Sequence, residues 1–356
     1  MFHRILVINP GSTSTKVGVY INEQPLCVST IRHTVEELMQ YEQIIDQHDF
    51  RQQLVIDWLK ANDIPFEFDA IIGRGGLIKP IPGGVYRVNR KMVYETYYAL
   101  RKHACNLGCI IAYELAKQQQ NGCKAYIADP VTVDELLPEA RVSGSPLMPR
   151  LAIWHALNQR AIARRYASEI GCQYEDLNLI ICHLGGGISI AAHQKGRAVD
   201  ANNALDGEGP LSPERAGTLP AADLIHLCYS GRYTEDQLKK RVAGQAGLMA
   251  HLGTTDILQI MQQVEAGDAH AKLLIDAMIF HTAKAIAAEG AVFSGQVDAI
   301  LITGGMAHSK YITQGIASRV KFIAPVHLFP GEDEMEALAL NALSVLRGEC
   351  VAKEYE

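Results

Sequence analysis

Two short segments about half a chain apart carry residues suited to phosphate. Residues 4–20 read RILVINPGSTSTKVGVY, in which Asn9 leads into Ser12, Thr13, Ser14, Thr15 and Lys16. Residues 177–193 read LNLIICHLGGGISIAAH, in which His183 leads into Gly185, Gly186 and Gly187. An apolar run, a small-residue loop and a second apolar run predict a hairpin with an exposed backbone tip. Such a tip offers N–H groups and hydroxyls, which suit phosphate. The first loop lacks GxxxxGK[ST] and is followed by a strand, so it is not a P-loop; the second fails the GxGxxG pattern. Three successive glycines cost backbone entropy, which is sensible where a ligand approaches the backbone closely. For each loop alone, an ordinary tight or flexible turn is the competing reading.

Other candidates stand at strand ends. Arg74 closes the apolar run DAIIG and precedes Gly75 and Gly76; Asp129 closes KAYIA; Gly304 and Gly305 close DAILIT. Arg215 lies in the long polar segment 200–220. A guanidinium matches phosphate and carboxylate oxygens and does not deprotonate. Each arginine also reads as a surface or structural residue, Asp129 as a turn former, and His103 and His183 as satisfied structural histidines. The grouping says more than any member. Asn9, Arg74, Asp129, His183 and Gly304–Gly305 all end predicted strands, where open α/β sheets bind their ligands.

The elements that must position them follow from periodicity. Strands are expected at 4–9, 15–21, 69–73, 124–128, 177–183 and 298–303, with a last one near 321–328. Helices are expected within 34–62, over 91–119 with a break near HACNLG, over about 149–170, through much of 221–292, and after PGEDE. IKPIPGGVYRVN reads as a Pro/Gly loop. Alternating strands and helices indicate an α/β fold, and the two hairpins make each sheet mixed. The chain has 356 residues, which favours two domains. Apolar residues make up 48% and charged residues 20%, as in soluble globular proteins. A net charge of −6 with no basic stretch gives no support to nucleic-acid binding. The start lacks the pattern of a secretion signal, and no run of about 18 apolar residues suggests a membrane span. The eight cysteines are irregularly spaced and include no CxxC. Cys105 and Cys109 could share a helix face, but reduced cysteines in a cytoplasmic protein are the simpler reading than a zinc site.

Longer motifs add a resemblance. INPGSTSTKVGVY, GRGG at 73–76, HACNLG at 103–108, DPVTVDE at 129–135, HALNQRAIARR at 155–165, HLGGGIS at 183–189, DANNALDGEGPLSPERAGTLP at 200–220, LITGGMAHSK at 301–310 and FPGEDEMEALAL at 329–340 resemble the butyrate kinases of the acetokinase family. That family is grouped with sugar kinases, heat-shock ATPases and actin. The resemblance implies two actin-like, ribonuclease H-like ATPase domains around a nucleotide cleft. Residues 1–145 plus about 336–356 would form the substrate side, and 146–335 the nucleotide side. It implies reversible transfer of phosphate from ATP, with Mg²⁺, to a short-chain carboxylate, giving an acyl phosphate, in a cytoplasmic homodimer or larger assembly. Asn9 and Glu334 resemble the magnesium-associated positions. Arg74 and Arg215 resemble the substrate and transition-state arginines, and His183 the phosphoryl-stabilising histidine. His103 and Asp129 resemble further active-site positions. Ser12, Ser14 and Lys16 fall in the first phosphate loop, Gly185, Gly186 and Gly187 in the second, and Gly304 and Gly305 beside the adenosine.

The residue chemistry points the same way. A carboxylic acid is already ionised at pH 7 and needs no general base. Its difficulty is an anion approaching a polyanion, so the site needs positive charge and placement. Two arginines, a histidine and Mg²⁺ suit that need; Asp129 would orient an arginine or the metal. A sugar kinase, a heat-shock-type clamp and a polyphosphate hydrolase of the same fold are the rival readings. Cys105 stands where a small hydroxyl residue is expected, and Ala246 where glycine is usual. Small residues at Gly76 and Cys182 predict room for four-carbon or branched acids.

Overall fold

A computed structural model describes residues 2–99 and 101–356. Its contacts divide the chain into two units. Unit 1 holds residues 1–133, 156–158 and 333–356; unit 2 holds residues 134–155 and 159–332.

Unit 1 is built on a seven-stranded mixed sheet. Its strands are β1 (Arg4–Pro10), β2 (Ser14–Ile21), β3 (Gln24–Arg32), β4 (Ala70–Arg74), β5 (Val85–Arg87), β6 (Lys124–Ala128) and β12 (Lys353–Glu354), in the order β12-β5-β6-β4-β1-β2-β3. β1, β2 and β3 form an antiparallel meander; β4 and β6 continue from β1 in parallel. Unit 2 carries β7 (Asn178–Leu184), β8 (Ile188–Gln194), β9 (Arg197–Ala201), β10 (Ala299–Gly304) and β11 (Val326–Pro330), in the order β11-β10-β7-β8-β9. Again a meander, β7-β8-β9, is extended by two parallel strands. The repeat announced by two hairpins is thus a five-strand plan in each unit. The fold is the expected α/β arrangement of two mixed sheets with flanking helices.

Strand alternation explains the layers. In unit 2, Ile180, Cys182 and Leu184 pack with Leu274, Ile275, Met278 and Ile279 of the helix Ala269–Glu289. Leu179 and Ile181 face the other way, onto Ile162, Ala163 and Tyr166. Strands buried on both faces read as continuous apolar runs, and β7 does so. In unit 1, Leu6 and Ile8 pack with Leu107, Ile110 and Ile111 of the helix Asn106–Lys117.

Several expected elements differ. The apolar spacing over 34–62 resolves into a turn of helix at Val35–Leu38, a 3₁₀ turn at Ile44–Gln47 and a helix only over His48–Ala61. Thr34 and Glu37 cap the first turn, and Gln43 N donates to Asp46 Oδ2 at 3.2 Å, so a second helical start lies inside the expected span. The helix expected at 149–170 begins at Ala156, because Arg150 is tied to Asp200 and Glu208 and holds its segment extended. β5 lies inside the expected Pro/Gly loop, and β11 begins at Val326 rather than 321. β3, β9 and β12 are strands that periodicity did not reveal.

Candidate active site

In unit 1, three of the singled-out residues converge on one carboxylate oxygen. Asn9 Nδ2 donates to Glu334 Oε2 at 2.8 Å, and Arg74 Nη1 donates to the same oxygen at 2.6 Å. Asn9 and Glu334 are buried and Arg74 is half-buried. The sheet explains the meeting: β1 and β4 are parallel neighbours, so Asn9 and Arg74 come out at the same end. Glu334 opens the helix Glu334–Leu346, whose N-terminal dipole favours a negative charge.

Glycine brings in the next group. A Cβ on Gly73 would lie 2.0 Å from Gly108 O, and one on Gly108 would lie 2.5 Å from Arg74 O. The GRGG and HACNLG motifs therefore touch backbone to backbone, which sets Asn106 against Gly76 and Cys105 near Arg74, with His103 on Cys105. Cys105 N donates to His103 Nδ1 at 3.2 Å, and its thiol lies 3.1 Å from the same nitrogen. Burial pushes the Cys105 thiol up to about 11, so it stays protonated and donates as a hydroxyl would. Asp129 follows β6 at φ 39°, a left-handed conformation. Its Oδ1 accepts from Gly84 N at 2.7 Å while its own N–H donates to Gly84 O.

The first phosphate loop is held from below by Arg51, a residue that periodicity placed only on a helix face. Its fully buried guanidinium donates to Gly11 O, Ser12 O and Ser14 O, to Thr15 Oγ1 and to Gln47. Burial lowers its pKa to about 10, still far above neutrality. Thr15 also contacts His33 Nε2 at 2.9 Å. Ser12 and Lys16 are exposed above this support.

In unit 2, the glycine loop, the 200–220 segment and the end of β10 come together. Ser212 Oγ donates to Gly186 O at 2.7 Å and Glu214 N to the same oxygen at 3.0 Å. Arg215 lies against Gly187; its Nη1 meets Glu214 Oε2 at 3.2 Å, and its Nε is buried with no partner among the described residues. Gly304 has φ 93°, and a Cβ there would lie 2.5 Å from Leu184 O. Only glycine lets β10 end against β7. Gly304 and Gly331 exchange both backbone hydrogen bonds at 3.1 Å, which delivers Glu332 to His183. His183, fully buried, contacts Glu332 Oε1 through Nε2 at 3.0 Å and stacks on His155, centroids 3.8 Å apart at 9°. Beside this group lies a cavity of about 600 Å³, of ligand size. Gly185, Gly186, Glu214, Gly305 and Glu332 line one part of it; Ile257, Leu258 and Met261 supply an apolar wall.

The profile of the acetokinase family matches residues 152–324. The chain is 63% identical over 353 residues to a protein of Bacteroides thetaiotaomicron called a probable butyrate kinase, covering 99% of this chain and all of that one. The chain belongs to the acetokinase family. A probable butyrate kinase of Phocaeicola vulgatus is 50% identical over 352 residues, 99% of each chain. The crystal structure of Porphyromonas gingivalis acetate kinase superposes with a TM-score of 0.78 at 16% identity, over 97% of this chain and 100% of the other. That likeness establishes the actin-like ATPase fold for this acetokinase-family chain.

Two expectations about pocket size do not survive. Cys182 neighbours His183 in sequence, but strand alternation turns it into the core under the helix Ala269–Glu289. The space beside Gly76 is filled: a Cβ there would lie 2.3 Å from Asn106 Oδ1. Neither residue gives room to an acyl chain. The glycine required near Ala246 is Gly247, at φ 60°, where a Cβ would lie 1.8 Å from Ser212 O. The reading of isolated motifs left His155, Glu332 and Arg51 without roles. Their signals, a polar residue inside HALNQRAIARR, an acid before the last helix and an arginine on an apolar helix face, are too common in sequence to stand out alone.

Proposed function

We propose that this chain is a butyrate kinase, transferring the γ-phosphate of ATP reversibly to butyrate or a related short-chain carboxylate to form an acyl phosphate. The observation that carries the reading is the Asn9–Arg74–Glu334 cluster, in a chain so similar to probable butyrate kinases. It offers an arginine for an anionic acceptor. Its carboxylate oxygen, Glu334 Oε2, is already engaged by two donors, which suits an acceptor that needs no base.

Unit 1 is the substrate side in this reading, and Arg74 receives the acyl carboxylate. Asp129 acts through the backbone it fixes at Gly84, and His103 borders the Arg74 cluster. Unit 2 is the nucleotide side. Gly185, Gly186 and Gly187 take phosphate oxygens, and Gly304 and Gly305 border the nucleoside in the cavity. The Nε of Arg215, without a partner among the described residues, suits a phosphoryl oxygen, with His183 as a further donor to the phosphoryl group. Ser12, Ser14 and Lys16 are the corresponding groups of the first loop. Asn9 and Glu334 fit Mg²⁺, which takes hard oxygen donors and keeps most of its shell for water and phosphate. When bound, Mg²⁺ and ATP supply the phosphoryl group and offset its charge.

The test is direct. Incubation with ATP, Mg²⁺, butyrate and hydroxylamine should yield acyl hydroxamate; none with any short-chain acid would refute the reading. Side-by-side kcat/KM values for acetate, propionate, butyrate and isobutyrate then assign the acid. The same reading places the chain in the cytoplasm, consistent with eight free thiols and with no described helix long and apolar enough to cross a membrane. It also takes the working form as a homodimer or larger, which light scattering would decide.

A further inference from the structure

Behind His155 runs a buried file of polar side chains that ends far from the cavity. His155 Nδ1 meets Ser189 Oγ at 2.8 Å. Gln159 Nε2 donates to Ser189 Oγ at 2.9 Å and to Ser189 O at 3.1 Å. Gln159 Oε1 meets His193 Nε2 at 3.0 Å, and His193 Nδ1 meets the Tyr174 hydroxyl at 2.6 Å. Gln159, Ser189 and His193 are fully buried, and Tyr174 nearly so.

The direction of every bond is determined by valence. Ser189 O is a carbonyl and only accepts, so the nitrogen of the Gln159 amide faces it and Oε1 faces His193. His193 therefore donates through Nε2. Burial and the Arg160 charge hold His193 neutral, its pKa well below the usual range, so its Nδ1 accepts from Tyr174. At the other end, Ser189 Oγ accepts from Gln159 Nε2 and from His155 N at 3.3 Å. Both lone pairs are used, and the hydroxyl proton goes to His155 Nδ1. The side-chain bonds all run one way, from Tyr174 to His155.

We propose that Gln159, backed by His193 and Tyr174 and acting through Ser189, is a positioning residue that holds His155 as the neutral tautomer protonated on Nε2. Two parallel imidazoles stacked at 3.8 Å do not both carry charge without strong repulsion. With His155 held neutral and stacked on it, His183, its Nε2 on Glu332, is the ring left to serve the phosphoryl group. Only this last step rests on the phosphotransfer reading; the tautomer does not.

The experiment is nitrogen NMR of the ¹⁵N-histidine-labelled full chain, with the His155 ring assigned by its loss in His155→Gln. The unaltered chain should show His155 with a bare Nδ1 and a protonated Nε2. Gln159→Glu keeps the shape but accepts from both Ser189 and His193, so the Ser189 proton turns away and His155 takes a proton on Nδ1. Ser189→Ala, a smaller change, removes the donor and should mix the tautomers. In Gln159→Glu, kcat for acyl phosphate formation should fall about 10- to 100-fold while KM for ATP moves less than about twofold, as for groups that orient a functional imidazole. A protonated Nδ1 in the unaltered chain, or an unchanged ring in both folded variants, overturns the proposal. The predicted tautomers in a chain that makes no acyl phosphate would support the positioning while sinking the activity reading.

Discussion

At the residue scale, the contrast between Arg74 and Gly304 is instructive. Arg74 acts through charge: it holds Glu334 and, in the proposed reaction, an acyl carboxylate. Arg74→Ala should lower kcat/KM for the acid by about 10²- to 10³-fold, the usual loss when one fixed electrostatic donor is removed. Arg74→Lys should recover little of it, because an ammonium does not reproduce the planar fork. Steady-state kinetics with butyrate varied at saturating ATP would show this, and near-normal kinetics in Arg74→Ala would exclude the assigned role. Gly304 acts through absence. Its φ of 93° and the 2.5 Å approach of a Cβ to Leu184 O leave no room for a side chain. Gly304→Ala should cost about 3 kcal/mol, somewhat more than backbone strain alone, seen as a lower Tm together with a raised KM for ATP.

At the element scale, the helix Asn106–Lys117 and the helix His48–Ala61 place unit 1's polar groups. The first lies on β4 through Gly73 and Gly108, so Gly108→Ala should force the helix away and move His103 and Asn106 with it. We expect a destabilisation of about 3–5 kcal/mol, at the upper end for single substitutions, measured by denaturant unfolding. A midpoint close to that of the unaltered chain would mean the backbones do not meet as described. The second helix delivers Arg51 under the first phosphate loop. Arg51→Met leaves Gly11 O, Ser12 O and Ser14 O without their donor, which should cost about 3 kcal/mol. Hydrogen exchange over residues 11–15 should rise at the same time.

At the scale of the whole molecule, buried titratable groups set the pH range of stability. In unit 1, burial and the Arg51 charge lower the His33 pKa to about 4. Between pH 6.5 and 4 the unfolded chain binds this proton and the folded one does not, so stability falls as pH drops through that window. His193 in unit 2 acts in the same direction. Glu289 acts in the opposite one. Its Oε2 is buried without a partner among the described residues, and burial, with Asp200 beside it, raises its pKa to about 8 against the pull of Arg150. Its contribution is complete below its unfolded pKa and is lost as pH rises towards 8. Melting temperature should therefore peak near pH 6.5. Glu289→Gln should flatten the alkaline side, where about 2 kcal/mol is lost by pH 8. An unaltered alkaline limb in that variant would rule out Glu289 as its source.

What could be read in the chain alone was whatever is local or periodic. The hairpins around Asn9 and His183, the strand ends at Arg74, Asp129 and Gly304, and the mixed α/β plan all follow from apolar runs that alternate or persist over a few residues. Sequence motifs, the longest of them 200–220 and 329–340, were also enough to point to the family, which the relatives bear out. What the chain alone could not decide is which face a residue takes and which distant backbone it meets. Cys182 sits next to His183 in sequence and on the opposite side of β7 in space. Gly76 reads as spare volume until Asn106 is found filling it. Arg51 reads as one more helix arginine until its helix is docked under the Ser12 loop. The file from Tyr174 to His155 joins three separate elements, and its direction is fixed by Ser189 O, a backbone acceptor that sequence cannot place. Side-chain chemistry is a property of residue type. The partner that makes it functional is chosen by tertiary packing, because burial leaves each donor and acceptor only the neighbours that the fold supplies.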